Sequence, residues 1–250
     1  MEDWFNQLSM RAIRPRETAH QACEHAIRRA VLDGELAPGV RLPPERTLAG
    51  TLGVSRLTLR AALAALTAQG LLAVRQGSGY VVQDITRTGG GDLLVDLATQ
   101  AGERGDLVPI ATELLRVRRH LAHAVLEHLV AHPPKAAAIK RFELAVDAMA
   151  KLVDDDVESI AAADLDVVAA LLDATSSPVL RLCLNPVTAV VANSRELRAA
   201  IYAEPGGNVL GWRAVAAWLR KPVRAEAAIA LLAARDTSTL ERLARRRRPR

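Results

Sequence analysis

The first clear pattern along the chain is a set of apolar residues at helical spacing between positions 22 and 31. Thr18 and Gln21 fit a capping box, in which two side chains satisfy backbone N–H groups at a helix start. Gly34 follows the last apolar position, where a left-handed residue commonly ends a helix. The pattern predicts a helix with one apolar face, formed by Ala22, Cys23, Ala26, Ile27, Ala30 and Val31.

Two further helices are predicted after a turn at residues 36–39. Pro43 and Pro44 begin a short helix that ends at Gly53, because proline is tolerated in the first turn of a helix. Ser55 is placed to cap the next helix, which runs from residue 56 to about residue 69 and is closed by Gly70. Two helices joined by a glycine turn predict a helix-turn-helix, with a buried stripe formed by Leu59, Leu63 and Leu66.

Polar side chains cluster at the start of the third helix, away from that leucine stripe. Arg56, Thr58 and Arg60 lie in or next to its first turn. This helix is the second of the helix-turn-helix, and its N-terminal end is the part that enters the major groove of DNA. Arginine there can bind the edge of guanine. The cluster therefore predicts a base-reading surface.

Two short apolar runs follow at residues 71–74 and 80–82, separated by a glycine-rich segment. This arrangement predicts a β-hairpin. A hairpin directly after a recognition helix is a wing, and its tip offers Arg75 and Gln76 as polar side chains.

Residues 84–91 change composition abruptly, end in three glycines and predict a flexible linker. Beyond them no segment is typical of a strand, and helical periodicity recurs at residues 93–101, 107–131, 136–153, 158–174, 178–203, 209–219 and 222–235, with a short helix before the C-terminal tail. The predicted fold is mainly α: an N-terminal winged helix-turn-helix plus a C-terminal antiparallel bundle of six or seven helices. The predicted domains are 1–83, a linker at 84–91, the bundle at 92–244 and a basic tail at 245–250.

The composition agrees with helical cores in a cytoplasmic protein. Half of the residues are hydrophobic but only 3% are aromatic, so the cores must consist of alanine, leucine and valine. No apolar run reaches the roughly 18 residues of a membrane span, and the acidic first residues are unlike a secretory signal. Cys23 and Cys183 have no metal-binding spacing, and we expect both thiols to be buried.

The net charge of +5 says little about DNA binding, because five of the 33 basic residues lie in the last six positions. The rest of the chain carries 28 basic and 28 acidic residues. The tail is either a solvated end or a segment with non-specific attraction to phosphate.

Residues 36–82 resemble the winged helix of the GntR family. The resemblance rests on Leu36, Pro38, Gly39, Leu42, Pro43, Glu45, Arg46, Leu48 and Ala49, then on Gly53, Val54, Ser55, Arg56, Thr58, Leu59 and Arg60, then on Leu63, Leu66, Gly70 and Leu71, and finally on residues 77–82. Leu57 departs from the pattern, since relatives often carry a polar residue there.

The resemblance implies a role in DNA binding for seven residues. Arg46 and Arg56 would read bases, and Thr58 and Arg60 would lie in or beside the major groove. Ser55 would contact phosphate, while Gln76 and Gly77 would reach the minor groove from the wing. Taken singly, Arg46 could instead be a solvated helix residue and Ser55 only a helix cap.

The second half is similar to the ligand-binding domain of the FadR subfamily of GntR proteins, on residues 114–118 and 164–178. Many such domains hold a metal with one Asp and three His. Asp164 occupies the Asp position, but Val168 and Trp212 stand near two of the His positions, and all six histidines precede Pro133. We therefore expect no metal and no cofactor, with the histidines as surface or structural residues.

The metal-free branch of this subfamily includes regulators that respond to long-chain acyl-CoA. The resemblance implies an effector site in the bundle, for which Arg118, Asp164 and Trp212 are the candidates. Arg118 could equally be the ion-pair partner of a bundle carboxylate such as Asp164. The alternatives are a metal-free sensor of a small carboxylate metabolite and an effector-independent DNA-binding dimer.

The function implied is that of a homodimeric repressor that binds pseudo-palindromic double-stranded operator DNA and releases it when a fatty acyl-CoA or fatty acid binds. The sequence carries none of the common catalytic motifs, such as a nucleophile elbow, a phosphate-binding loop or a zinc-protease helix, so an enzyme is not expected.

Overall fold

The computed structural model describes residues 18–77, 79–223 and 226–246. These residues divide into two compact units, with the boundary between Gly90 and Gly91. The predicted features at residues 1–4, at Ser78 and at residues 247–250 of the tail lie outside the described residues. None of the helices in the described part has the length and hydropathy that crossing a bilayer requires.

The first unit begins with three helices, α1 (Ala19–Leu32), α2 (Glu45–Leu52) and α3 (Arg56–Ala68). At the start of α1, the Gln21 side chain accepts a hydrogen bond of 3.0 Å from the backbone N–H of Thr18, as the capping pattern predicts. Gly53 ends α2 in the left-handed conformation, with φ at +65°. The α3 stripe that packs against α1 is fully buried at Leu59, Leu63 and Leu66.

The predicted wing is present as strands β1 (Leu72–Arg75) and β2 (Gly79–Val82), which pair antiparallel with Leu72 opposite Val82. The chain before α2 runs along the other edge of β2. There Leu42 N–H donates to the carbonyl of Tyr80, and Val82 N–H donates to that of Val40, both at 2.9 Å. These bonds attach the hairpin to the helical part of the unit.

The predicted flexible linker is wrong for its first five residues. Ile85–Thr88 form a helical turn, α4, which Asp84 caps through its side chain. The Thr88 hydroxyl donates a 2.7 Å hydrogen bond to the carbonyl of Gly70, so this turn is fixed to the end of α3. The Asx-type cap at Asp84 orders the first part of the segment, although the glycines at its end suggested a flexible linker.

The second unit is entirely helical within the described residues. Its helices are α5 (Leu93–Glu103), α6 (Leu107–Ala131), α7 (Ala136–Ala150), α8 (Val157–Thr175), α9 (Pro178–Asn193), α10 (Arg195–Ile201), α11 (Pro205–Leu219) and α12 (Glu226–Arg246). The closest pairs are α7 with α8, α6 with α12 and α7 with α11. Leu129, Phe142, Met149 and Ile160 are among the largest fully buried side chains of this core.

The helix predicted at residues 178–203 is two helices in the structure, and the described part of this unit contains eight helices in all. Ser194 has an extended backbone and caps α10, with its hydroxyl accepting a 3.3 Å hydrogen bond from the N–H of Leu197. The capping residue therefore interrupts a run whose periodicity alone looked continuous.

Conversely, α12 does not stop at residue 235 as predicted but continues to Arg246, inside the predicted tail. The hydroxyls of Thr237, Ser238 and Thr239 resemble a stop signal in the sequence. In the structure each donates to a carbonyl four residues earlier, so these side chains accompany a continuous helix.

The two cysteines lie in different surroundings. Cys23 is buried in α1 as predicted, and burial raises the pKa of its thiol. The prediction that Cys183 is buried is wrong, since it is exposed on α9. The buried side of α9 is formed by Leu184, Val187, Val190 and Val191, and Cys183 lies outside this set.

Candidate nucleic-acid interface and buried cavity

The start of α3 is fixed by a local hydrogen-bond network. The Ser55 hydroxyl accepts a 3.1 Å bond from the N–H of Thr58 and lies 2.8 Å from the Thr58 hydroxyl. The first turn contains no acidic residue. Because backbone N–H groups and the helix dipole make a helix start favourable for anions, this end of α3 suits a phosphate group.

Arg46 on α2 and Arg56 on α3 are both exposed. Within the described residues neither side chain has a hydrogen bond or an ion pair. Arg60 differs, since its Nε lies 2.6 Å from the Glu45 carboxylate and this contact raises the pKa of the guanidinium. The ion pair joins the first turn of α2 to α3, and it leaves Arg56 as the unpaired arginine at the start of α3.

The wing presents Arg75, Gln76 and Gly77 at its exposed tip. Gly77 and Gly79 have φ values of +72° and +74°, which glycine adopts without strain. Neither glycine carries a Cβ atom, so the backbone at these two positions can approach a narrow groove closely.

The second unit contains a cavity of about 290 Å³ between α6, α8, α11 and α12. Its walls are mainly apolar, and its charged lining residues are Arg118, Asp164 and Arg235. All three effector candidates of the sequence, namely Arg118, Asp164 and Trp212, line this one cavity. The polar lining residues Asn208, Arg235 and Thr239 were not among these candidates.

Asp164 is the most constrained group of the cavity. One carboxyl oxygen accepts a 2.5 Å hydrogen bond from the Trp212 indole, and the other accepts a 2.9 Å bond from the Tyr202 hydroxyl. Burial raises the pKa of the Asp164 carboxyl, although both bonds favour its charged form. Burial and the neighbouring carboxyl also raise the pKa of Tyr202.

Arg118 forms an ion pair, but its partner is not Asp164. It is Asp236 on α12, whose other carboxyl oxygen lies 3.3 Å from Arg119. Burial raises the pKa of Asp236 against the opposing effect of the two arginines. Asp236 was missed because it lies just beyond the predicted end of its helix.

Arg235 also lines the cavity and donates a 2.9 Å hydrogen bond to the carbonyl of Gly207. Burial lowers the pKa of its guanidinium, while nearby Asp164 favours its charge. Two arginines and one carboxyl therefore line the cavity, and the carboxyl has a raised pKa. The arrangement favours a ligand with an apolar body and an anionic or hydrogen-bond-accepting group.

The comparison with known families settles the nature of the first unit. The profile described as "Bacterial regulatory proteins, gntR family" matches residues 19–82, which comprise α1 to α3 and the wing. Residues 19–82 are a GntR-family helix-turn-helix domain.

Two curated proteins are also similar to this chain. An uncharacterized HTH-type transcriptional regulator of Mycobacterium tuberculosis, Rv0494, is 38% identical over 120 residues, which cover 43% of this chain and 50% of the relative. A fatty acid metabolism regulator protein of Yersinia pestis is 30% identical over 162 residues, which cover 65% of this chain and 64% of the relative. The chain thus spans between half and just under two thirds of the length of these relatives.

A solved structure supports the fold over nearly the whole chain. It comes from work entitled "Lar controls the expression of the Listeria monocytogenes agr system and mediates virulence". The two chains are 16% identical with a TM-score of 0.61, and the alignment covers 93% of this chain and 99% of the other. At this identity the likeness concerns the fold alone.

Within the described residues, the structure brings together no group of three or more side chains able to hold a metal ion. The histidines of α6 have other contacts. His128 bonds to the carbonyl of Thr175 at 3.1 Å and stacks on His132, while His123 lies 3.7 Å from Glu127.

Proposed function

We propose that this GntR-family protein is a transcription repressor whose bundle binds a long-chain fatty acyl-CoA or fatty acid, and that binding of this effector releases operator DNA. The observation that carries the effector part is the cavity, where two arginines line walls that are mainly apolar. DNA binding is the function of the family to which the first unit belongs.

For the DNA part, we propose that Arg56 and Arg46 contact base edges in the major groove. Both are exposed, and neither has to break an intramolecular contact to reach a base. Ser55 would contact a phosphate, and Thr58 and Arg60 would lie beside the groove. Gln76 and Gly77 at the wing tip would approach the adjacent minor groove.

For the effector part, Arg118 and Arg235 would bind the polar head while the apolar walls bind the chain. Burial of apolar surface contributes roughly 25 cal/mol per Å², which makes a long acyl chain an effective ligand without a metal. Asp164 would orient Trp212 and Tyr202, because its two oxygens already accept hydrogen bonds from these side chains. The similarity to a protein named as a fatty acid metabolism regulator supports this ligand class.

The size of the cavity bears on which part of the ligand it could hold. A volume of about 290 Å³ is at the lower end of the roughly 300–1,000 Å³ typical of small-molecule sites. We therefore propose that the acyl chain and its carbonyl enter the cavity, and that the nucleotide part of a coenzyme A thioester lies outside it.

The effector can release DNA only if it binds the DNA-incompetent state more tightly than the competent one. The decisive experiment measures fluorescence anisotropy of operator DNA while a long-chain thioester, its short-chain analogue or the free fatty acid is added. We expect low micromolar long-chain thioester to release DNA and the short-chain thioester to have no effect. Equal responses to the two chain lengths would refute the lipid proposal.

A cavity variant localises the effect. Arg235→Met keeps an unbranched apolar side chain and removes the guanidinium, so the long-chain thioester should be needed at roughly tenfold higher concentration, as expected for one lost charge-assisted hydrogen bond. Arg213→Met is the matched control, because Arg213 is exposed on α11 and does not line the cavity. It should respond like the wild type, and the melting temperature of each variant without ligand separates a loss of stability from a loss of ligand affinity.

The two arginines also suit a small carboxylate such as citrate, lactate or gluconate. Release of DNA by one of these, with no response to lipids, would favour the small-metabolite sensor. If no compound changes either DNA affinity or melting temperature, the protein is an effector-independent DNA-binding dimer.

A further inference from the structure

Leu57 has the most exposed large apolar side chain of the described residues, at 80% of full exposure. It lies in the first turn of α3, next to Arg56. Successive helix residues are about 100° apart, so Leu57 is about 200° from Leu59 around the helix. It therefore faces away from the buried leucine stripe and contributes little to the packing of the first unit.

The outer face of α3 beyond Leu57 carries short side chains. Ala61 and Ala64 lie four and seven residues further along on the same face, and both are exposed. Arg56 and Arg60 lie next to this line, both on the same side of it. The two alanines have short side chains. They therefore do not hinder the helix from approaching a surface that Leu57 contacts.

The chemistry of the major groove restricts what Leu57 can recognise. Leucine has no hydrogen-bond donor or acceptor, and packing it against a carbonyl or amino group would leave that group unsatisfied. The apolar group that base edges present in the major groove is the C5-methyl group of thymine. We propose that Leu57 reads the methyl group of one thymine in each half-site of the operator.

This inference rests on the proposed binding of DNA through α3, and it adds a base that the operator must carry. A single exposed leucine is common on protein surfaces and needs no explanation by itself. Here, however, it lies beside Arg56, which has no partner within the described residues, at the helix end that a helix-turn-helix inserts into the groove. A polar residue in its place could bond to several bases, whereas leucine selects for a methyl group.

The test deletes the methyl group and nothing else. The full chain first selects its operator from random duplexes, and each thymine of that operator is then replaced singly by deoxyuridine, which keeps the hydrogen bonds of the base pair. At one thymine per half-site, wild-type binding should weaken roughly fourfold, the fold-change that corresponds to one buried methylene-sized group.

The variant Leu57→Ala should bind the thymine and uracil operators with nearly equal affinity. Leu144→Ala is the matched control, since Leu144 is 57% exposed on α7 in the other unit, and it should keep the wild-type ratio. If no thymine shows a methyl effect, or if Leu57→Ala keeps the full effect, the proposal is wrong while DNA binding stands. If the chain selects no sequence at all, DNA binding through α3 and the role of Leu57 fail together.

Discussion

At the scale of single residues, arginine occurs in opposite environments in the two units. Arg56 is exposed and unpaired within the described residues, so it can exchange water for a base edge at little energetic cost. Arg118 is largely buried and bound to Asp236, so any ligand that approaches it must share an existing ion pair. Arg56 is therefore suited to contact a base. Arg118 is suited to position a ligand, because its ion pair with Asp236 holds its side chain in place.

Replacing Arg56 with alanine should weaken binding to the operator by about 1–3 kcal/mol, the usual value of a bidentate arginine–guanine contact. Binding to random DNA should fall much less, because random DNA offers few matching guanines. The measurement is the ratio of operator to random-DNA affinity at one fixed salt concentration. An unchanged ratio would show that Arg56 does not read a base.

Ser55→Ala gives a contrasting result for comparison. It should weaken the binding of operator and random DNA alike, since a phosphate contact carries no sequence information. It should also lower the melting temperature, because loss of a serine cap costs about 1 kcal/mol of helix stability.

Asp164 predicts a pH dependence of stability. Its pKa is raised in the folded protein, so the stability it contributes is fully present below the unfolded value of about 3.9 and is lost as the pH rises through the folded pKa. Asp164→Asn cannot ionise, and the free energy of unfolding of the wild type should fall relative to this variant as the pH rises above about 4.

Urea unfolding between pH 4 and pH 9 measures this difference. Asp166→Asn is the matched control, because Asp166 is an exposed residue of the same helix. Parallel profiles for the wild type and Asp164→Asn would mean that the carboxyl of Asp164 is not the source of any pH dependence.

At the scale of elements, the end of α3 is joined to the segment that leads out of the first unit. Gly70 follows α3 with φ at +78°, and a Cβ atom there would clash with the backbone carbonyl of Thr88. The Thr88 hydroxyl in turn bonds to the Gly70 carbonyl. The close approach of these two backbones requires glycine at position 70.

Gly70→Ala should therefore destabilise the first unit by more than the roughly 1–2 kcal/mol that a left-handed alanine costs. Amide hydrogen exchange in the full chain should show lower protection in α3, while protection in α7 of the second unit stays unchanged. Unchanged exchange in α3 would show that the approach of Thr88 does not restrain its end.

Gly50→Ala is the opposite control. Gly50 lies inside α2 and an added Cβ would meet nothing within 4 Å. Alanine is the better helix former by about 1 kcal/mol, so this variant should raise protection in the first unit or leave it unchanged.

The sequence predicted those elements whose signals are local. Caps at Thr18 and Ser55, glycines after α2 and α3, and the two apolar runs of the wing lie within a few residues of the structure they produce. It failed where a side chain had two possible partners. Ser194 caps a new helix, whereas Thr237 and Ser238 bond back to their own helix, and only the tertiary context decides between these behaviours.

The cavity shows the same division between local and tertiary information. Arg118, Asp164 and Trp212 were chosen by resemblance, and the structure brings them to one cavity. Their bonding partners could not be predicted, because Tyr202 and Asp236 are brought near by helix packing across 38 and 118 residues of sequence. Periodicity gives the buried face of a helix but not the residue that it meets.

At the scale of the whole molecule, the net charge gives little support for binding to DNA. Without the five arginines of the last six positions, the chain has equal numbers of basic and acidic residues. The proposed binding of DNA therefore rests on a local surface at α2, α3 and the wing. One such surface reads only a half-site, which is too short a sequence for selective binding by itself.

We therefore expect two chains to bind one operator. Closed two-fold symmetry is the commonest arrangement of soluble oligomers, and a symmetric dimer requires a pseudo-palindromic site with half-sites about one helical turn, or a multiple of it, apart. Sedimentation at micromolar concentration should show a species of twice the 26.9 kDa chain mass, free and on DNA. Operators whose half-site spacing is changed by five base pairs should bind far more weakly, because the second site then faces the opposite side of the duplex. A species of single-chain mass in both conditions, or indifference to the spacing, would show that one chain acts alone.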